Sequence, residues 1–149
     1  MRIGEVLGAK ASQEIVTIPA DAGVRDLIAL LAAHNVGALI VSGDGTTVDG
    51  IVSERDVVRH LHHEGTVVDN TVGAIMTTDV ETCRSDTHLD ELMKVMTERR
   101  IRHVPVVDDG RLVGIVSIGD VVKHRMNQLQ FERDQLDSYV HQSERSGGG

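Results

Sequence analysis

Val24, Leu27, Ile28 and Leu31 stand at i, i+3, i+4 and i+7, a spacing that gathers four apolar side chains on one face of a helix. Leu89, Leu92, Met93 and Met96 repeat that spacing, and the offset from Val24 to Leu89 is 65 residues. On either side of both helices the pattern changes. Residues 36–41 and 101–107 are apolar enough for buried strands, and residues 48–52 and 112–116 read as the strands that return beside them. Between these runs lie Gly43-Asp44-Gly45 and Asp108-Asp109-Gly110, both typical of turns. Ahead of the helices, residues 15–18 and 80–83 are short β-favouring runs, followed by Asp21 and Asp86 at positions that suit a helix N-cap.

Each copy therefore reads strand, helix, strand, strand, helix, and the expected fold class is α+β. The repeat is most literal where the last strand meets the last helix: GIVSERDVV at 50–58 returns as GIVSIGDVV at 114–122. Even the lead-ins echo, Ile3-Gly4-Glu5-Val6-Leu7 recurring as Val72-Gly73-Ala74-Ile75-Met76. A unit of about 60 residues buries too little surface to be stable by itself, so the two copies are expected to pack face to face about a pseudo-twofold axis, leaving two related clefts. The expected divisions are 1–64 for the first copy with its lead-in, 65–125 for a linker and the second copy, 126–142 for a helical extension, and 143–149 (SERSGGG) for a flexible end. Along residues 120–142, read as one long helix running past the repeat, Val122, Met126, Leu129, Leu136 and Val140 form a seam with Arg133 in its remaining position, the pattern of a helix that docks on a partner or on the domain itself.

Composition narrows the function classes. The two aromatic residues, Phe131 and Tyr139, both follow the repeats, so the core of the repeats is aliphatic. A net charge of -8 argues against nucleic acid or an anionic membrane as the main partner. The single cysteine, Cys83, offers neither an intrachain disulfide nor a zinc framework and reads as a small core hydrophobe. No segment approaches 18 apolar residues, no signal peptide is apparent, and the expected compartment is the cytoplasm. His60 and His63 would share a helix face, but no acidic or cysteine ligand stands at a matching spacing, so no metal is expected.

The repeated Ser-x-x-Asp carries the chemistry. Ser53 and Asp56, and again Ser117 and Asp120, fit a capping box, in which the serine bonds forward and the acid bonds back. A strand that runs straight into such a helix start also leaves amide N–H groups facing outward, where a phosphate can bind. The carboxylate can accept both hydrogens of a ribose diol, and without aromatics a base would lie between aliphatic walls. A serine hydrolase is set aside: the elbow requires G-x-S-x-G, which neither copy has, and no histidine base is duplicated with the serine. No catalytic activity is expected.

Across residues 1–125, the paired G-hydrophobic-hydrophobic-Ser-x-x-Asp motifs and the strand Arg102-His103-Val104-Pro105-Val106-Val107 resemble a tandem pair of cystathionine β-synthase (CBS) domains, a Bateman module, of the freestanding bacterial kind. That resemblance implies two sheet-packed repeats binding adenosine nucleotides (AMP, ADP, ATP or NAD), or in some members S-adenosylmethionine, in their clefts, in a regulatory homodimer that signals through an effector protein. By resemblance, Asp56 and Asp120 hold ribose while Ser53 and Ser117 meet phosphate. Val16, Val36 and Gly37 belong to the first site; Glu81, Ile101, Arg102 and His103 belong to the second, with Arg102 or His103 open to reaching across. Arg55 is a further phosphate contact, absent from the second copy, where Gly119 stands. Gly37-Ala38 against Arg102-His103 implies unequal sites. The rival reading is an assembly module in which both motifs only cap helices. The nucleotide reading fails if Asp56 and Asp120 both fold back on their own backbone and no hollow remains beside them.

Overall fold

The computed structural model describes the backbone of residues 1–10 and 15–147 and side chains through Val140. The first copy follows the expected order: β1 (Thr17–Ile18), α2 (Val24–His34), β2 (Ala38–Val41), β3 (Gly50–Ser53) and α3 (Glu54–His63), preceded by α1 (Ile3–Gly8). After a 3-10 turn at Val67–Asp69, the second copy comprises α4 (Val72–Ile75), α5 (Leu89–Arg99), β4 (His103–Asp108), β5 (Arg111–Ser117) and α6 (Ile118–Gly147). In the first sheet β2 lies between a parallel β1 and an antiparallel β3; the second sheet is the antiparallel pair β4-β5.

The second copy lacks a full first strand, and Pro105 supplies the reason. In the first copy Ile18 O accepts from Ser42 N, and the ladder runs back to pair Thr17 with Ile40. The matching bonds at Cys83 form, with Cys83 donating to Pro105 O (3.0 Å) and Val107 donating to Cys83 O (2.8 Å). One step back, proline has no N–H to extend the ladder. What was expected as a strand over 80–83 therefore shrinks to a single bridge between Cys83 and Val106.

The expected N-caps at Asp21 and Asp86 are not used. The helices begin later, with Gly23 and His88 at the cap positions and no side-chain cap bond at either. Their first amides are instead satisfied by the opposite lead-in: Val24 N donates to Asn70 O and Leu89 N to Met1 O, each at 2.9 Å. This exchange is general. The lead-in α4 buries Val72 and Ile75 in the first copy's core, beside Val24, Leu27 and Val52. The lead-in α1 buries Ile3 and Val6 in the second copy's core, beside Leu89, Leu92 and Val116. Each core is thus completed by the other copy's leader.

Two glycines allow that embrace. A Cβ on Gly50 would lie 2.7 Å from Thr77 O, and one on Gly114 would lie 2.8 Å from a methyl of Leu7. The helices α2 and α5 stop alike, with Asn35 (φ 51°) and Arg100 (φ 54°) left-handed just past their ends. The β4-β5 hairpin turns on Asp109 and Gly110, both at positive φ, as a two-residue turn requires. The longer β2-β3 loop winds around Asp44, which accepts from the amides of Thr46 and Thr47, each at 2.8 Å. Those bonds hold its carboxyl far below the ordinary carboxylate range. At the C-terminus, α6 runs through residues 143–147, expected as a loose tail, while residues 148 and 149 lie outside the described region.

Candidate functional site

Both Ser-x-x-Asp motifs sit where a strand turns directly into a helix, and both form the cap. Ser53 N donates to Asp56 Oδ2 (2.8 Å) and Asp56 N donates to Ser53 Oγ (3.3 Å); at the second motif the same bonds are 3.0 and 3.2 Å. The helix starts are less open than expected. Glu54 N is taken by Gly37 O (3.0 Å) and Ile118 N by Arg102 O (2.8 Å). Of the first three amides in each helix, only those of Arg55 and Gly119 lack a partner among the described residues.

The carboxylates nevertheless keep a free side. Every hydrogen bond and ion pair described for Asp56 and Asp120 falls on Oδ2, leaving Oδ1 of each available. A hollow also opens beside each one. A cavity of about 570 Å³ adjoins Asp56 and one of about 590 Å³ adjoins Asp120. Of the two conditions that would end the nucleotide reading, the folded-back carboxylates are present and the blocked hollows are not.

The clefts are built crosswise, which corrects the expected pairing. Gly37, Ser53, Arg55 and Asp56 of the first copy meet Glu81, Ile101, Arg102 and His103 of the second in one cleft. Val16 and Val36, expected with Asp56, instead line the cleft of Asp120. Ser117 lines neither cavity and serves to hold Asp120. The reason is topological: the first copy's β1-β2 layer faces the start of α6, and the second copy's 80–81 segment and β4 face the start of α3.

Charge separates the two hollows. The Asp56 cleft gathers Arg55, Arg59, Arg99, Arg100 and Arg102, of which Arg99 is held by Glu81 at 2.9 Å. The Asp120 cleft has Lys10, Lys123 and two histidines, His34 and His124. There Lys10 Nζ lies 3.1 Å from Asp120 Oδ2 and 2.9 Å from Ile115 O. Burial raises the pKa of Asp120, but the Ser117 amide and hydroxyl and the Lys10 ammonium together outweigh it, and the carboxyl sits below its ordinary value. His103 is depressed, first by burial and further by Arg102 and Lys10, against the opposing pull of Asp120 and Glu54. Its ring lines the Asp56 cleft. Burial and the nearby charges of Asp108 and Glu91 push the Cys83 thiol up to about 12, consistent with a core role.

Sequence reasoning missed Arg59, Lys123, His124 and Asn127. The signal was present, because Asp120, Lys123, His124 and Asn127 stand at i, i+3, i+4 and i+7, a polar stripe on the first turns of α6. The repeat also sets Arg59 in register with Lys123. Lys10 carried no comparable signal, since only the fold brings the first lead-in to the second motif.

The family model described as CBS domain matches this chain twice, at residues 3–63 and 72–127. The chain belongs to the CBS domain family. It is similar to the mitochondrial CBS domain-containing protein CBSX3 of Arabidopsis thaliana, at 38% identity over 125 residues, covering 80% of this chain and 61% of that protein, so it spans about three fifths of the relative's length. Among solved structures, a CBS-domain containing protein from Agrobacterium tumefaciens superposes with a TM-score of 0.79 at 38% identity, covering 84% of this chain and 99% of the other. The CBS domain pair of protein MJ0100, in complex with 5'-methylthioadenosine and S-adenosyl-L-methionine, superposes with a TM-score of 0.73 at 27% identity, covering 83% of this chain and 98% of that one. The architecture is a tandem CBS pair of mixed α+β class with a long C-terminal helix. Among the described residues no group of three or more His, Cys, Asp or Glu could hold a metal, and no helix is long and apolar enough to cross a membrane.

Proposed function

We propose that this CBS pair is a non-catalytic sensor that binds adenosine nucleotides (AMP, ADP, ATP or NAD) in its two crossed clefts. The observation that carries the reading is the open Oδ1 of Asp56 and of Asp120, each at the edge of a cavity with aliphatic strand residues on one side and cations on another. A carboxylate with one oxygen committed to its cap can still accept a ribose diol on the other. The adenosyl compounds bound to the MJ0100 pair support the same ligand class. In this reading Val16 and Val36 flank a base held by Asp120, Ile101 flanks one held by Asp56, and Arg55, Arg102 and His103 meet the phosphates of the second ligand. The arginine-rich cleft takes the more highly phosphorylated ligand.

The chain acts as a regulatory homodimer in the cytoplasm, passing a change in the relative set of its repeats to an effector protein. Such a change requires the ligand to prefer one arrangement over another. Because both Ser-x-x-Asp motifs do form capping boxes, the second reading is an assembly module with no ligand. Titration calorimetry with each nucleotide, repeated on Asp56→Ala and Asp120→Ala, tests the choice. Binding that each substitution halves in stoichiometry is expected; a wild-type chain that takes up none of the four nucleotides overturns the sensor reading in favour of assembly.

A further inference from the structure

The final helix departs from the module partway along its length. Its first turns pack on α1, α5 and β5, and Val121 is fully buried. From Phe131 to Val140 every side chain is exposed. The helix also bares an apolar stripe: Val122, Met126, Leu129, Leu136 and Val140 are all at least 46% exposed. With Arg133 the stripe is spaced 4-3-4-3-4, the seven-residue repeat of a seam between two helices. Among the described residues, nothing of its own module covers that seam.

Charge chooses the partner and its direction. We propose that the seam is covered by α6 of a second copy lying antiparallel, centred on Phe131. In that register Val122 faces the partner's Val140, Met126 faces the partner's Leu136, and Leu129 faces the aliphatic stem of the partner's Arg133. Lys123 falls beside the partner's Asp137, a contact made twice by symmetry, while the one like-charge contact, Glu132 against the partner's Glu132, lies at the centre with Arg133 of each chain one residue away. A parallel pair would instead stack Arg133 on the partner's Arg133 and set Glu132 against the partner's Asp137. The seam is therefore self-complementary in one direction and self-repelling in the other. The seam needs no ligand, and of its ion-pairing residues only Lys123 also lines the Asp120 cleft.

The test uses the full chain in a Cys83→Ala background with a nitroxide label at Phe131→Cys or at Ser138→Cys, both on the outer face of the helix. An antiparallel pair centred on Phe131 separates the two Ser138 positions by about 21 Å along the axis, at 1.5 Å per residue, and the two Phe131 positions by none. Pulsed dipolar spectroscopy is expected to show a distinctly longer distance at Ser138 than at Phe131. Adding Leu129→Asp with Leu136→Asp is expected to abolish both distances while the circular dichroism melt of the module persists. Equal distances at the two sites, no dipolar coupling at either, or couplings that survive the double substitution would each overturn the proposal. No nucleotide enters the readout, so its failure is separate from that of the sensor reading.

Discussion

The Asp56 and Asp120 clefts share one backbone device and differ in nearly every charge around it. Both have a capped aspartate with Oδ1 open at a helix start, and their volumes are close, about 570 and 590 Å³. The first is walled by five arginines; the second has two lysines, one of which already occupies Oδ2 of its aspartate. Duplication preserved what the backbone must do and released the side chains. Because the clefts are assembled crosswise, a change in one copy can alter the site of the other copy's aspartate: Arg102 of the second copy sets the charge beside Asp56 of the first.

Removing the shared device is the strongest way to break the comparison. Asp56→Ala and Asp120→Ala each delete the acceptor proposed for a ribose diol; such bonds are worth about 1.5–3 kcal/mol apiece, so affinity at the altered cleft is expected to fall at least tenfold in titration calorimetry while the other cleft keeps its own. Loss of the cap should cost only about 1 kcal/mol in a denaturant melt. Equal losses of binding at both clefts would show that they are not independent sites.

The glycines sharpen the comparison next. In Gly50→Ala the new methyl meets the Thr77 backbone carbonyl, which cannot move without the lead-in, whereas in Gly114→Ala it meets the flexible end of Leu7. Overpacking of this kind costs about 1–3 kcal/mol, with Gly50→Ala at the upper end and Gly114→Ala at the lower, as read from thermal midpoints. A reversed order would mean that the two lead-ins are not held with the same rigidity.

His103 gives a smaller, pH-dependent distinction. Its folded pKa lies below the unfolded 6.5, so its contribution to stability is present above 6.5 and is lost as the pH falls through the lower folded value. A phosphate in the Asp56 cleft favours the imidazolium and raises that pKa, so binding there takes up a proton and tightens from pH 8 to pH 6. Calorimetry in buffers of different ionisation enthalpy should detect the proton, and His103→Gln should remove it. The smallest effect belongs to Lys10 and Asp120. With the carboxyl held below its unfolded 3.8, their interaction is complete above 3.8 and fades as the pH drops through the folded value. Both groups are partly exposed, and Lys10→Ala should cost no more than about 1 kcal/mol near pH 7 in a urea melt.

Much of this was legible along the chain. Residues 24–31 and 89–96 announced two amphipathic helices, and Ser53, Asp56, Ser117 and Asp120 marked both strand-to-helix turns, because periodicity and capping are local properties. The N-caps proposed at Asp21 and Asp86 failed, since amides that local chemistry would satisfy with a side chain were satisfied by residues 70 and 1 of the opposite lead-in.

The sequence by itself determined the repeat, the alternation of elements and the carboxylate at each turn, all set by interactions within a few residues. Only the tertiary structure decided which residues share a cleft: it brought Lys10 to Asp120, Arg102 to Asp56, and each leader into the other copy's core. The physical reason is burial. Two half-size cores exclude water only by exchanging their leaders and facing one another, and that packing, which no spacing along the chain encodes, crossed the two sites.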